Sequence, residues 1–169
     1  FIDFAYSGVD ANGVVDTYTE PDNYITGFEV KNCYFHNSSG YPSTNAFGAL
    51  EIGGMEGALI HDNEFIQPAY ADRRRGILIK GVKCEHAGLK IYDNVVKKYC
   101  RDEDIGADDL PFAIELWDIR GGCEIYDNEI IGAIDLVNIW SKDSTSLGYE
   151  FGAKVYDNYI GADTCQQEY

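Results

Sequence analysis

Acidic, basic, amide and indole side chains recur at matching places in four segments that have the pattern of short strands. Alignment of residues 49–52, 78–81, 113–116 and 136–139 stacks one polar column, Glu51, Lys80, Glu115 and Asn138. Two residues later, on the same face of each strand, the chain has Gly53, Val82, Trp117 and Trp140. Neighbouring strands lie ~4.8 Å apart, and alternate residues of a strand share a face. The sequence therefore predicts one water-facing strip that carries two carboxylates, an amine, an amide and two indoles.

This combination of side chains favours a carbohydrate site. Indole faces stack on pyranose rings, and carboxylate, amine and amide groups hydrogen-bond to hydroxyls. Glu51 and Glu115 could act as an acid and base pair, while Lys80 between them is expected to stay protonated as a charge partner. The alternative is an ordinary cross-strand salt ladder, with the tryptophans covered by turns. The candidate catalytic residues are Glu51, Glu115 and Lys80, and the candidate substrate-binding residues are Trp117, Trp140, Asn138, Arg120 and Lys142.

A repeat of about 30 residues must position these strands. Five segments share the pattern G-x-x-[VI]-x-[ND]-[NC]-x-[FVI]: GFEVKNCYF, GALIHDNEF, GLKIYDNVV, GCEIYDNEI and GAKVYDNYI. Their first glycines are Gly27, Gly57, Gly88, Gly122 and Gly152. Such regular spacing indicates one supersecondary unit per repeat, stacked on its neighbours. A second strand is predicted in each unit after a turn of variable length, and this strand carries the polar column.

Alternation within each motif predicts a buried side and a solvent side. The inward positions are Phe28, Ala58, Leu89, Cys123 and Ala153, followed two residues later by Val30, Ile60, Ile91, Ile125 and Val155. Two outward columns are predicted: Glu29, Leu59, Lys90, Glu124 and Lys154, and then Lys31, His61, Tyr92, Tyr126 and Tyr156. The second column is expected to be structural cross-strand pairing or, alternatively, a sugar or partner surface.

An Asp-Asn dipeptide follows the strand in four of the five motifs. Asn tolerates left-handed backbone, so the dipeptide predicts a bend, and its amide can bond the next Asn. We expect a ladder of stacked amides in which Cys33 takes the Asn position of the first repeat. The ladder residues are Asn63, Asn94, Asn128 and Asn158.

Residues 27–160 resemble the right-handed, single-stranded parallel β-helix proteins of the pectate-lyase-like superfamily, whose repeats contain an I-x-x-N-x-I motif and Asn ladders. The resemblance implies an all-β solenoid of about five coils, a single domain 1–169 in which 1–26 and 161–169 form end pieces. That superfamily includes polysaccharide lyases, hydrolases and epimerases, phage tailspikes and adhesins. Two functions follow as hypotheses: a carbohydrate-engaging part of a polysaccharide-processing protein, or a non-catalytic structural or adhesive β-helix of a tailspike, surface layer or filament.

The composition of the chain limits the classes of molecule that it is expected to bind. The 169 residues contain 29 Asp plus Glu against 13 Lys plus Arg, and the net charge of −16 repels nucleic acid. High Tyr and Gly contents with strong acidity favour a secreted, strand-rich protein. No apolar run reaches the length of a membrane span, and the first residues lack a signal-peptide pattern, so we expect the numbering to begin on a processed or excised chain.

The charged turns contain the remaining candidate binding residues, for an acidic glycan or for a metal ion. Lys97, Lys98 and Arg101 on one turn and Arg73, Arg74 and Arg75 on another could form a basic patch for an acidic glycan. The alternative partner for these cations is an acidic loop, which could instead bind Ca²⁺. No other cofactor is expected, because the three His and five Cys lack metal-binding spacing. The loop residues are Asp102, Glu103, Asp104, Asp108 and Asp109.

Overall fold

The structure, a computed structural model, describes residues 9–12, 25–36, 48–53, 55–67, 77–81, 88–98, 113–117, 122–132, 137–140 and 153–162. The strands in these ranges are β1 (Val9–Asn12), β2 (Ile25–Thr26), β3 (Glu29–Lys31), β4 (Tyr34–His36), β5 (Gly48–Gly53), β6 (Met55–Glu56), β7 (Leu59–His61), β8 (Glu64–Gln67), β9 (Ile77–Gly81), β10 (Lys90–Tyr92), β11 (Val95–Lys98), β12 (Ile114–Trp117), β13 (Cys123–Tyr126), β14 (Glu129–Gly132), β15 (Val137–Trp140), β16 (Ala153–Tyr156) and β17 (Tyr159–Ala162). Within the same ranges, no helix is long and apolar enough to cross a membrane.

Three five-stranded sheets contain most of these strands, and every pairing in them is parallel. Sheet 1 has the order β3-β7-β10-β13-β16, sheet 2 the order β4-β8-β11-β14-β17, and sheet 3 the order β1-β5-β9-β12-β15. The short strands β2 and β6 form a separate parallel pair. Apart from β2 and β6, successive strands along the chain enter sheets 1, 2 and 3 in turn, so each sheet grows by one strand per repeat. The predicted second strand of the repeat is present in sheet 3, and a further strand that the sequence analysis did not identify follows the bend at once and forms sheet 2.

The bend between sheets 1 and 2 depends on one left-handed residue per repeat. The backbone φ is +52° at Asp62, +51° at Asp93 and +52° at Asp127, and Asn32 holds the same conformation in the first repeat. Asp and Asn reach this region most readily among residues with a Cβ atom. The sequence interpretation placed the left-handed residue at the ladder Asn. The structure places it one residue earlier, and the ladder Asn is thereby turned into the interior.

The predicted Asn ladder is confirmed. Asn63, Asn94 and Asn128 are buried, and the side-chain amide of each donates to the Oδ1 of the next ladder Asn at 2.9–3.0 Å. Each amide also donates to a backbone carbonyl of the preceding repeat, as Asn94 does to Ile60 O at 2.9 Å. At the N-terminal end, the Cys33 backbone N–H donates to Asn63 Oδ1 at 3.0 Å. Parallel sheets with a buried Asn ladder are compatible with a parallel β-helix.

Apolar columns fill the space between the sheets. Ile60, Ile91 and Ile125 of sheet 1 are fully buried, and the Phe35 and Phe65 rings of sheet 2 stack with centroids 4.5 Å apart. The prediction fails at the last member, because Val155 is 43% exposed, and Ile160 on sheet 2 is 52% exposed. Both lie on β16 and β17, the edge strands of their sheets, where no further described strand covers them.

Candidate functional site

The polar column of the sequence alignment lies in sheet 3. In the backbone register Glu51 is opposite Lys80, Lys80 opposite Glu115, and Glu115 opposite Asn138. Trp117 is opposite Trp140 on the neighbouring strands β12 and β15. The structure therefore brings together six of the predicted site residues at the backbone level, in the order that the sequence predicted.

The column has a further member that the sequence analysis missed. Strand β1 pairs with β5 and places Asp10 opposite Glu51. The glycine repeat does not extend into this segment, which is why it was assigned to an end piece. A signal was nevertheless present, because the apolar-acidic-apolar order of Val9, Asp10 and Ala11 matches the pattern of β5.

Glu115 does not face water, contrary to the prediction. Its relative exposure is 3%, and Ala113, Ile114 and Leu116 around it are fully buried. Both faces of β12 are thus covered at Ile114, Glu115 and Leu116. Alternation correctly separates Glu115 from the core face of Ile114, but it carries no information on whether the other face is open. A buried carboxylate needs compensating partners, and the register makes Lys80 and Asn138 its cross-strand neighbours.

Lys97 of the predicted basic patch lies in the described part of the chain. Its Nζ lies 3.2 Å from Glu129 Oε1 on the adjacent strand of sheet 2. This lysine therefore pairs with a carboxylate on the neighbouring strand. Among the described residues, no group of three or more His, Cys, Asp or Glu side chains could hold a metal ion. The predicted residues that lie outside the described part of the chain are Arg73, Arg74, Arg75, Arg101, Asp102, Glu103, Asp104, Asp108, Asp109, Arg120 and Lys142.

On the outer face of sheet 1, His61 forms an ion cluster that sequence spacing did not reveal. Its Nε2 lies 2.9 Å from Glu29 Oε1, and its Nδ1 lies 2.7 Å from Asp62 Oδ2. Lys31 Nζ contacts the other oxygen of Glu29 at 3.0 Å. Register explains the arrangement, since Lys31 is opposite His61 and Glu29 precedes Lys31 by two residues on the same face. With both ring nitrogens facing carboxylates, the doubly protonated imidazolium is the form that donates to both.

The cluster shifts two pKa values in opposite directions. Hydrogen bonds to Glu29 and then to Asp62 raise the pKa of His61 above its usual 6.5. The hydrogen bonds from His61 and then from Lys31 lower the pKa of Glu29 below 4.5. The His61 contribution to stability is present below pH 6.5 and is lost as the pH rises through the raised value. The Glu29 contribution is present above pH 4.5 and is lost as the pH falls through the lowered value. Both contributions are therefore fully present between pH 4.5 and pH 6.5, where the cluster stabilises the fold most.

We expect the His61 pKa, measured by NMR titration of the ring protons, to lie above 6.5 and to fall in a Glu29→Gln variant. The substitution keeps the shape of the side chain and removes the carboxylate that accepts from Nε2. Glu56→Gln is the matched control, because Glu56 is exposed on the short pair β2–β6 and makes no contact with the cluster. An unchanged His61 pKa in Glu29→Gln would contradict the ion cluster.

The predicted second column of sheet 1 is a continuous ring stack. Centroid separations are 4.7 Å from His61 to Tyr92, 5.1 Å from Tyr92 to Tyr126 and 5.2 Å from Tyr126 to Tyr156, and adjacent rings are within 6° of parallel. Exposure increases along the stack, from the buried His61 to Tyr156, which is 40% exposed. The ring faces between neighbours are already occupied. Between neighbours this column therefore offers ring edges and hydroxyl groups to a partner, and the outer face of Tyr156 is not stacked on a described ring.

Comparisons with protein-family models, curated proteins and solved structures found no match to this chain.

Proposed function

We propose that this protein is a right-handed, single-stranded parallel β-helix of the pectate-lyase-like kind and that it engages an extracellular polysaccharide as part of a polysaccharide-processing protein. The observation that carries the proposal is the register of sheet 3, which sets Trp117 beside Trp140 next to the column of Glu115 and Asn138. Trp117 and Trp140 lie on adjacent strands, whose backbones are about one strand spacing apart, ~4.8 Å. Two aromatic residues in register, with the amide residue Asn138 on the same strand as Trp140, suit a flat sugar chain with hydroxyl groups.

The geometry favours binding over turnover. Glu51 and Glu115 lie on β5 and β12, with β9 between them, so their backbones are two strand spacings apart, ~9.6 Å. The carboxyl groups of a retaining glycosidase are about 5–5.5 Å apart, and those of an inverting enzyme about 6.5–9.5 Å apart. Retention is thus disfavoured, and an inverting pair would need the two side chains to lean together. Glu115 is also shielded from solvent, which limits its access to a glycosidic oxygen.

Charge favours a neutral glycan over a polyuronate. The net charge of −16 repels polyanions, and a uronate site would need a local excess of cations. Lys97 is neutralised by Glu129, and Lys90 on sheet 1 lies 3.5 Å from Glu124. Neutral hydroxyl groups need no such excess, because amide and indole groups recognise them without a charge.

The test combines affinity electrophoresis with an absorbance assay for unsaturated sugar ends. We expect retarded migration in gels that contain neutral glucan or xylan, no retardation by polygalacturonate or alginate, and no release of unsaturated ends from either uronate. Glu115→Gln should leave the retardation unchanged. Release of unsaturated ends that falls ~100-fold in Glu115→Gln would instead show a lyase that uses this carboxylate as acid or base.

A structural or adhesive role is the second candidate, and the ordered side-chain stacks favour it. The Asn ladder and the aromatic stack of sheet 1 each continue over four repeats, as expected for a stiff solenoid. The buried Glu115 also fits the cross-strand salt ladder. Absence of retardation by every glycan in the same gels, with the fold intact, would favour this candidate.

A further inference from the structure

The tyrosine stack of sheet 1 has a chemical property that glycan binding does not use. Tyr92, Tyr126 and Tyr156 come from three successive strands of sheet 1, and their rings are held nearly parallel about 5 Å apart. This spacing follows from the backbone, because adjacent strands are ~4.8 Å apart. The backbone therefore keeps the phenols side by side, and radicals formed on two neighbouring rings would be adjacent.

Tyr156 is the member of the stack best placed to lose an electron to a reagent in solution. It is 40% exposed, whereas Tyr92 and Tyr126 are only partly exposed. Its hydroxyl donates to Glu124 Oε2 at 3.4 Å, so a proton acceptor is adjacent to the phenol. The phenol is protonated at neutral pH, since partial burial and then the charge of Glu124 raise the pKa of Tyr156 above its usual 10. Loss of an electron must then be accompanied by transfer of the proton, and Glu124 is in position to accept it.

We propose that Tyr126 and Tyr156 are a site of oxidative dityrosine cross-linking by a peroxidase-type, one-electron oxidant that uses hydrogen peroxide. Each phenol loses one electron and one proton. The two phenoxyl radicals form one carbon–carbon bond between the ring carbons ortho to the oxygens, and the two displaced ring protons move to the oxygens to restore both phenols. Hydrogen peroxide accepts the two electrons and two protons and becomes two molecules of water.

Formation of the bond requires a local movement. The ring centroids are 5.2 Å apart, so the two rings must tilt towards each other at their solvent edges. Tyr156 has freedom to do so because it lies on the edge strand β16 and only one of its faces is stacked on a described ring. The product would join β13 to β16 covalently and would tie the edge strand to the neighbouring repeat.

The experiment is limited oxidation of the folded, dilute protein with a peroxidase and hydrogen peroxide, followed by proteolysis and mass spectrometry. We expect a peptide pair joined through Tyr126 and Tyr156 in the monomer fraction, two hydrogen atoms lighter than the sum of its parts. Tyr156→Phe should abolish this pair while it keeps the stacked ring. Tyr34→Phe is the matched control, because Tyr34 is 38% exposed but lies on sheet 2. Glu124→Gln should slow formation of the pair.

Three outcomes would overturn the proposal. The first is cross-links spread over the 13 tyrosines of the chain in the same proportions with and without denaturant. The second is cross-linking only between molecules. The third is no cross-link at Tyr126 and Tyr156 under conditions that couple free tyrosine in the same tube. An unchanged rate in Glu124→Gln would contradict the role of Glu124 as proton acceptor.

Discussion

Asn94→Ala should lower the free energy of unfolding by about 3 kcal/mol or more, because each buried polar group left without a partner costs about 1–3 kcal/mol. The Asn94 amide donates to Ile60 O, Tyr92 O and Asn128 Oδ1, and its Oδ1 accepts from the backbone and side chain of Asn63. Alanine removes all of these bonds and leaves the Asn63 backbone N–H buried without an acceptor. Urea unfolding followed by circular dichroism measures the loss.

Asn158→Ala is the matched control for this prediction. Asn158 occupies the same place in its repeat but lies at the end of the ladder and is only partly buried, so water can replace some of its bonds. We expect a clearly smaller loss than for Asn94→Ala. Equal losses would mean that burial of the ladder does not set its energetic value, and a loss near zero at Asn94 would contradict the ladder itself.

The repeat made sheet 1 predictable because its strands, bends and ladder all lie within one nine-residue motif. Alternation assigned Ile60 and Ile91 inward and Tyr92 outward, and the Asn-to-Asn register followed from the alignment. The same logic placed Lys80 between Glu51 and Glu115 in sheet 3. Local period and parallel stacking are sufficient for such register, since equivalent residues of adjacent repeats must be neighbours.

Burial and electrostatics could not be predicted in this way. They depend on which other residues cover a face of the sheet, and the alternation of residues along a strand does not report this. Alternation placed Glu115 opposite the core without indicating that its face is covered. The ion cluster depends on side-chain reach: His61 contacts Glu29 of the previous repeat and also Asp62, its own neighbour in sequence. Sheet 2 was missed because each of its strands begins directly after the bend, with no further turn to separate it from the preceding strand of sheet 1.

If sheet 3 binds a neutral glycan, Trp117→Ala and Trp140→Ala should each weaken binding by about 1–3 kcal/mol, or about 5-fold to 150-fold. The two residues are register partners, so one sugar chain that crosses β12 and β15 would contact both. Loss of an indole removes a large apolar contact area that hydroxyl-bonding groups cannot replace. The dissociation constant is measured by affinity electrophoresis over a series of glycan concentrations.

Two controls separate a binding role from a structural one. Trp→Phe at either position keeps an aromatic face and should restore much of the affinity. Tyr126→Phe changes an aromatic residue of sheet 1, whose ring faces are already stacked, and should leave glycan binding unchanged. Circular dichroism must report the same strand content in every variant. If both alanine variants bind the glycan as the unmodified protein does, the indoles do not form the sugar surface, and the stacked polar column of sheet 3 is then a structural ladder that stiffens the repeats.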